Sequence, residues 1–565
     1  LWVAIGAFLA VAAATTISIF FYDRFWYAPD DGAYAHVANR MLQGEVLNGS
    51  VQDFHAGYVN FVNAATMAIF GNDFRSLRIP LAVLNVLQAL VVFLVLRRGG
   101  VWLALAGSLA VSSLSFVQFL NPTAHWYCLF LVLLIPVIVR VPKQGWLRLI
   151  LLGLLVGTIA MFRQLTGVIV AIAVFGWLVL EGSTPSAPRY WTPRVVMLGL
   201  ALLVGWYVFM HADPAIAAVF GLWPVALLLF AGWQARVSTR ECLRMIGGLS
   251  LGAALACLPL LVYHIAHASL ATWFSDTVLA AFRIPGLDFI DDHSFTSFAM
   301  MVVPQLGEWR SPAVVLNALF WLTLILLPLV NGVTLLRRLQ QGAITFGAAE
   351  ALLWCASFYA LVALHYQIAI YLFYVCGLNA AALAASAISA RPVPRAIVSA
   401  TLVGISAIAL YFHAGQSLMR GIYGQMRGDR GAEVVACDLP HCSLRLDPRD
   451  VDIHRELVKR IETRSVPGDC ILALPGDAEL YFITERCNPT RFFNSALGLR
   501  TEGDVDALLL QLEPRPPAML IYRPDDKYNS RLTQQAVMRL RSFYANFERV
   551  GPFEVYWGLT KQLEQ

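Results

Sequence analysis

The segment Tyr27-Ala28-Pro29-Asp30-Asp31-Gly32-Ala33-Tyr34 sets two adjacent carboxylates behind a proline and ahead of a helical pattern. Tyr34, Val37, Ala38 and Met41 fall at i, i+3, i+4 and i+7. The spacing predicts a helix lying on a membrane surface, its apolar face down and His36, Asn39, Arg40 and Gln43 up. Asp30 and Asp31 then sit at the helix N-terminus. There the dipole and the unpaired N–H groups favour an ionised carboxylate, the state a general base needs. An Asp before a helix also serves as a plain N-cap. The residues downstream tell against that simpler role. Asp53 and His55 come next, then a second amphipathic pattern through Tyr58, Phe61, Val62, Ala65 and Ile69. Two surface helices presenting three carboxylates form a site for proton transfer, whereas a plain connector would be shorter.

Other reactive side chains are scattered. Arg163 and Gln164 interrupt an apolar run from Leu149 to Leu180. An Arg at span depth costs about 2.5 to 3.5 kcal/mol on insertion scales, so it is either an anion contact or a turn at the headgroups. Arg283 shares a loop with Asp288, Asp291, Asp292 and His293, a candidate acceptor contact or a solvated loop. His365 and Tyr366 end a span, as donor contacts or interfacial anchors. Asn48-Gly49-Ser50 fits a glycosylation pattern, although Asn-Gly more often marks a tight turn.

These residues must be positioned by membrane spans. The chain has 565 residues, 58% hydrophobic and 14% charged, against about 25% charged in soluble proteins. That excludes an ordinary water-soluble enzyme, and the net charge of +5 gives no footprint for nucleic acid. Apolar stretches from Leu1 to Phe412 read as about thirteen transmembrane helices. The first lacks a basic leader and a cleavage site, and reads as a retained span whose native start is missing. Lys and Arg cluster at alternate junctions: Arg97 and Arg98; Arg140, Lys143 and Arg148; Arg189 and Arg194; Arg236, Arg240 and Arg244; Arg337 and Arg338; Arg391 and Arg395. The positive-inside rule makes these cytoplasmic, with the N-terminus inside. The first outward loop (23–76), Arg163, Arg283, His365 and everything after Phe412 then face outward. The expected domains are a membrane domain, 1–412, and a soluble extracytoplasmic domain, 413–565.

The tail alternates strand-like Ile471 to Leu474 and Ala518 to Tyr522 with helical Val505 to Leu512 and Leu532 to Phe547, and ends on a strand at Phe553 to Trp557, an α/β pattern. Its four cysteines pair most simply as Cys437 with Cys442 and Cys470 with Cys487, among three connectivities. No C-x-x-C zinc spacing occurs.

The order of a first span, an Asp-Asp pair, Tyr34, a helix ending at Gly44, then Asp53, Phe70-Gly71, Arg75 and Arg78 resembles the GT-C superfamily of polytopic glycosyltransferases. Within that superfamily the order looks like that of the protein O-mannosyltransferases and of the bacterial aminoarabinose transferase. The tail motif Tyr481-Phe482-Ile483-Thr484-Glu485-Arg486 with Asn488-Pro489-Thr490-Arg491-Phe492 is similar to tails of bacterial members. The resemblance implies a hexosyl- or pentosyltransferase in the inner (plasma) membrane. It would move a sugar with inversion from a polyprenyl-phosphate donor, undecaprenyl-type, to a hydroxyl of a lipid, glycan or protein acceptor. Asp30 would be the general base. Asp31 and Asp53 would orient sugar or acceptor, or hold a divalent cation, Mg or Mn, in members that use one; no other cofactor is implied. The family's usual Lys-Pro-Pro-like element is replaced by Phe54-His55-Ala56-Gly57, with His55 a substitute contact for the donor phosphate.

Outward-facing acids also require a sugar delivered on a lipid, since nucleotide sugars are not normally supplied there. The leaving phosphate then needs a cation, and Arg163 with Gln164 is the candidate. A transporter or lipid flippase is the rival reading, but no internal repeat appears and the unusual acids lie in a loop. An inactive GT-C-like scaffold is the other, opposed by the joint presence of Asp30, Asp31 and Asp53.

Overall fold

The computed structural model describes residues 1–142, 145–184, 186–280, 294–342, 345–416 and 433–559. The chain forms two compact units. One comprises Leu1–Tyr22, Pro80–Leu261 and His293–Gly431, and the other Asp23–Ile79, Val262–Asp292 and Ala432–Gln565. The first long loop (23–76) and the tail thus belong to one unit.

The first unit is helical. Among the described residues, eleven helices of the chain are long and apolar enough to cross a membrane. The apolar helices Ala124–Ile138 and Trp146–Phe162, at 15 and 17 residues, fall short of that length, and the expected thirteen is reached only with them. Packing is by small residues and satisfied polar ones, as lipid offers no hydrophobic drive between helices. A Cβ on Gly153 would lie 2.2 Å from the Leu249 carbonyl oxygen, and one on Gly252 would lie 2.1 Å from that of Ile150. Trp146–Phe162 and Thr239–Ala266 therefore touch backbone to backbone. Asn85 donates to Ser18 and Ser112 and accepts from Ser115, a polar knot joining three helices and the turn after the third. Arg148 and Glu181 form a buried pair at 2.6 Å.

The second unit is α/β. Its sheet has the order Ile471–Leu474, Met519–Tyr522, Phe553–Leu559, Tyr544–Val550; the first two strands are parallel and the other pairs antiparallel. Leu472, Leu474, Leu520 and Tyr522 point to one face, against Val505, Leu508, Val537 and Leu540. Ile471, Ala473, Met519 and Ile521 point to the other, against Leu457, Ile461, Leu480 and Tyr481. With helices on both faces, the two parallel strands read as continuous apolar runs. The helix expected over Leu532 to Phe547 stops at Leu540, and Tyr544–Val550 is instead an edge strand paired to Phe553–Leu559. Pairing with Phe553–Leu559, from Tyr544 opposite Leu559 to Val550 opposite Phe553, makes this segment a strand. Disulfides join Cys437 to Cys442 and Cys470 to Cys487.

The loop helices Ala28–Leu42 and Tyr58–Phe70 share a core with the tail, in which Trp26, Ala35, Ala38, Met67 and Phe74 meet Leu444, Leu446, Val451 and Phe482. Gly32 is the point of closest approach. A Cβ there would stand 2.2 Å from the Glu479 backbone nitrogen.

Candidate active site

Ala28–Leu42 begins with Pro29 in its first turn, where the missing N–H is not needed. Both acids lie inside that first turn; the cap position is Tyr27, whose carbonyl accepts the Asp30 N–H at 3.0 Å. Neither Asp is therefore an N-cap. The two differ sharply in surroundings. Asp31 is 1% exposed, with one oxygen accepting from Arg78 at 2.9 Å and the other from the Tyr27 N–H at 3.0 Å. Burial pushes its pKa up, and Arg78 and the Tyr27 N–H pull against that. Arg78, fully buried, also donates to the carbonyls of Arg24 and Phe25. Asp31 thus fastens the helix start and has no oxygen left for substrate. Asp30, half-buried, is the member of the pair that reaches solvent.

Asp53 is 3% exposed and serves His55. Its carboxylate accepts from His55 Nδ1 at 3.1 Å, from the Phe54 N–H at 2.7 Å and from Asn60. Burial opposes its charge, but His55, Asn60 and the Phe54 N–H outweigh it, so its pKa is lowered. A carboxylate on Nδ1 turns the Nε2 side outward. Nε2 lies 3.5 Å from the Tyr34 hydroxyl, and Tyr34 stands one helical turn beyond Asp30 on the same face. Asp30, Tyr34 and His55 therefore form one polar row, with Asp53 behind it.

Asp31 and Asp53 are fully engaged, and among the described residues no group of three His, Cys, Asp or Glu side chains is placed to hold a metal ion. The three acids do not fit the cation that the resemblance allowed, and no step is derived through one.

His36, expected on the exposed face, is buried. Its ring lies tilted against that of Tyr481 with centres 4.8 Å apart and meets Asn488 at 3.4 Å. Burial first, then Arg40, drives its pKa down to about 3. The tail covers the side of the helix that amphipathic spacing assigned to water. Asn48 is also buried, donating to the Asp53 carbonyl at 2.7 Å, so Asn48-Gly49-Ser50 is not an exposed acceptor. Behind it, Asp276 gathers Gln52, Arg491 and Arg500 at 3.0, 2.6 and 3.3 Å and ties the loop to the tail.

Sequence reasoning missed Lys527. Its ammonium lies 5.4 Å from the Tyr27 ring centre and 4.7 Å from that of Tyr528, within electrostatic reach of Asp30. Only the tertiary fold joins residue 527 to residue 30; the charged run Asp525-Asp526-Lys527 was the available signal.

In the helical unit, Arg163 is an extended residue between Trp146–Phe162 and Gln164–Gly182, where the chain reverses. Its guanidinium contacts His125 and stands 5.6 Å from the Tyr371 ring centre. His125 stacks on Tyr374 at 3.7 Å, Tyr366 meets Tyr371 at 5.6 Å, and His365 is within electrostatic reach. The structure thus brings Arg163, His365 and Tyr366 together in an aromatic and histidine cluster. Among the described residues no carboxylate pairs with Arg163. Gln164 opens the following helix. Arg283, with its loop, lies outside the described residues.

No protein-family profile matches the sequence, and none of the curated proteins does. Solved structures do. The chain is similar to ArnT from Cupriavidus metallidurans bound to undecaprenyl phosphate, at 14% identity and TM-score 0.37, covering 98% of this chain and 97% of that one. It is also similar to the Archaeoglobus fulgidus oligosaccharyltransferase in the apo form, at 11% identity and TM-score 0.42, covering 97% and 73%. The same enzyme in complex with Zn and sulfate gives 13% identity and TM-score 0.41, covering 96% and 71%. At such identities and TM-scores the likeness says nothing about substrate, and the functional case rests on the side chains of the first loop and its neighbours.

Proposed function

We propose that this chain is an inner-membrane glycosyltransferase that moves a sugar from a polyprenyl-phosphate donor, undecaprenyl-type, to an acceptor hydroxyl at the outer face. The observation that carries the reading is the division of labour among the three acids. Asp31 and Asp53 are buried against Arg78 and His55, whereas Asp30 is partly exposed in the first turn of its helix. Asp30 takes the proton of the acceptor hydroxyl as its oxygen bonds to the anomeric carbon. The bond from that carbon to the phosphate oxygen breaks, and polyprenyl phosphate leaves. The charge growing on the leaving phosphate needs a cation, the part expected of Arg163 with Gln164; within the loop unit, His55 presents Nε2 beside Tyr34 as a contact for a phosphate. Tyr34 contacts donor or acceptor between Asp30 and His55. The extracytoplasmic placement of the site rests on the distribution of Lys and Arg along the chain.

The test is Asp30→Asn in proteoliposomes supplied with a panel of undecaprenyl-phosphate sugars and cell-envelope acceptors. Transfer by the unaltered protein should fall by about 10²- to 10⁴-fold, the usual weight of a general base, with thermal stability kept. Full activity in the variant would remove Asp30 from the chemistry.

A further inference from the structure

We propose that the α/β domain lends Lys527 to the site of Asp30 as a contact for a phosphate oxygen of the substrate; this rests on the transfer reaction proposed above. Ligands of parallel sheets gather beyond the carboxyl ends of the strands. The parallel pair here ends at Leu474 and Tyr522, and the chain runs on into Pro475-Gly476-Asp477 and into Arg523-Pro524-Asp525-Asp526-Lys527-Tyr528. The charges at these ends divide into two sets. Arg523 is bound to Asp477 at 2.7 Å and to Asp526, and Asp477 is 1% exposed, so this set is internal bracing.

Lys527 is different. It is solvent-exposed, and its ammonium is steered by the faces of Tyr27 and Tyr528. Cation–π contact fixes where such a charge sits, and a lysine ammonium is a point-charge binder of phosphate. Tyr27 is also the residue whose carbonyl receives the Asp30 N–H, so the ring that steers Lys527 opens the helix that carries the base. Burial lowers the pKa of Lys527, and the nearby Asp30 carboxylate acts against that. A carboxylate and an ammonium side by side suit a substrate that gives up a hydroxyl proton and presents a phosphate. The tail thereby becomes part of the site.

The experiment uses the full chain in nanodiscs, with undecaprenyl phosphate as probe and inorganic phosphate as competitor. Lys527→Met should weaken binding of the lipid about tenfold or more, and Lys527→Arg should largely retain it, as for loss and replacement of one charge-assisted hydrogen bond. Asp30→Asn, which removes a neighbouring negative charge, should bind the lipid at least as tightly as the unaltered protein while losing transfer. Competition by inorganic phosphate that disappears in Lys527→Met would place a soluble phosphate at the subsite; a lipid effect without such competition would assign the donor headgroup. Unchanged binding of both probes in Lys527→Met, with normal thermal stability, overturns the inference. Transfer by the unaltered protein in the same nanodiscs keeps that outcome separate from failure of the proposed function.

Discussion

Asp31→Asn changes one atom and no shape, and it should be among the most damaging substitutions in the first loop. Arg78 is fully buried and Asp31 is 1% exposed, so the variant takes a carboxylate charge away from a guanidinium that no water can reach. Two carbonyls still hold Arg78, at 3.0 and 2.7 Å, but neither carries a charge. Breaking one side of a buried pair costs about 3 to 5 kcal/mol. For a cooperative unit of about 150 to 250 residues, each kcal/mol moves the midpoint by about 2 to 4 °C. The expected shift is therefore on the order of 10 °C, read by thermal unfolding of the reconstituted protein. Asp30→Asn, at a half-buried position, should shift the midpoint by less than about 2 °C. The double variant Asp31→Asn with Arg78→Met removes both charges and should recover most of the loss, because a buried pair replaced by neutral groups is often close to neutral in energy. A single variant as stable as the unaltered protein, or a double variant worse than either single one, would refute the account of Asp31 as a fastening.

Two further outcomes are expected. His36 is neutral when folded, with a pKa at about 3 against about 6.5 in the unfolded chain. Unfolding therefore takes up a proton between those values, and stability present above pH 6.5 is lost as pH falls, by about 1.4 kcal/mol per unit. His36→Phe should flatten the midpoint between pH 6.5 and 4.5, and parallel curves for the two proteins would contradict the buried neutral ring. Gly32→Ala should destabilise by about 1 to 3 kcal/mol, since the new methyl meets the Glu479 backbone at 2.2 Å. That loss should appear in the same midpoint measurement despite the gain of about 1 kcal/mol that alanine brings to a helix interior.

Much of the fold was legible because the membrane imposes it: a span needs about 20 apolar residues, and these stretches announce themselves. The helix carrying Asp30 was legible too, from its apolar period and its proline. What the period could not tell was which side would meet water. Asn39 and Arg40 follow the local rule and are partly exposed, whereas His36 is covered by Tyr481 and Asn488 from the tail. The roles of the three acids were hidden for the same reason. Asp31 looks equivalent to Asp30 until Arg78, 47 residues on, takes its oxygen. Asp53 was legible as a carboxylate beside His55, but only Asn60 and the Phe54 N–H reveal it as the support of that ring. Lys527 had no local signal beyond a charged run, and the strand at Tyr544–Val550 reads locally as helix because its neighbour Phe553–Leu559 decides it.

The close seating of the first loop on the tail also sets a timetable for biosynthesis. Asn488 and His36 touch across 452 residues of chain, and synthesis proceeds at about 5 to 20 residues per second. The loop is thus made about 20 to 90 s before its covering partner exists. Through that interval Gly32 has no Glu479 against it, and Tyr27 has no Lys527 over its ring. The row around Asp30 is assembled last, so a partly made chain already threaded through the bilayer would hold the acid without the surroundings that make it useful.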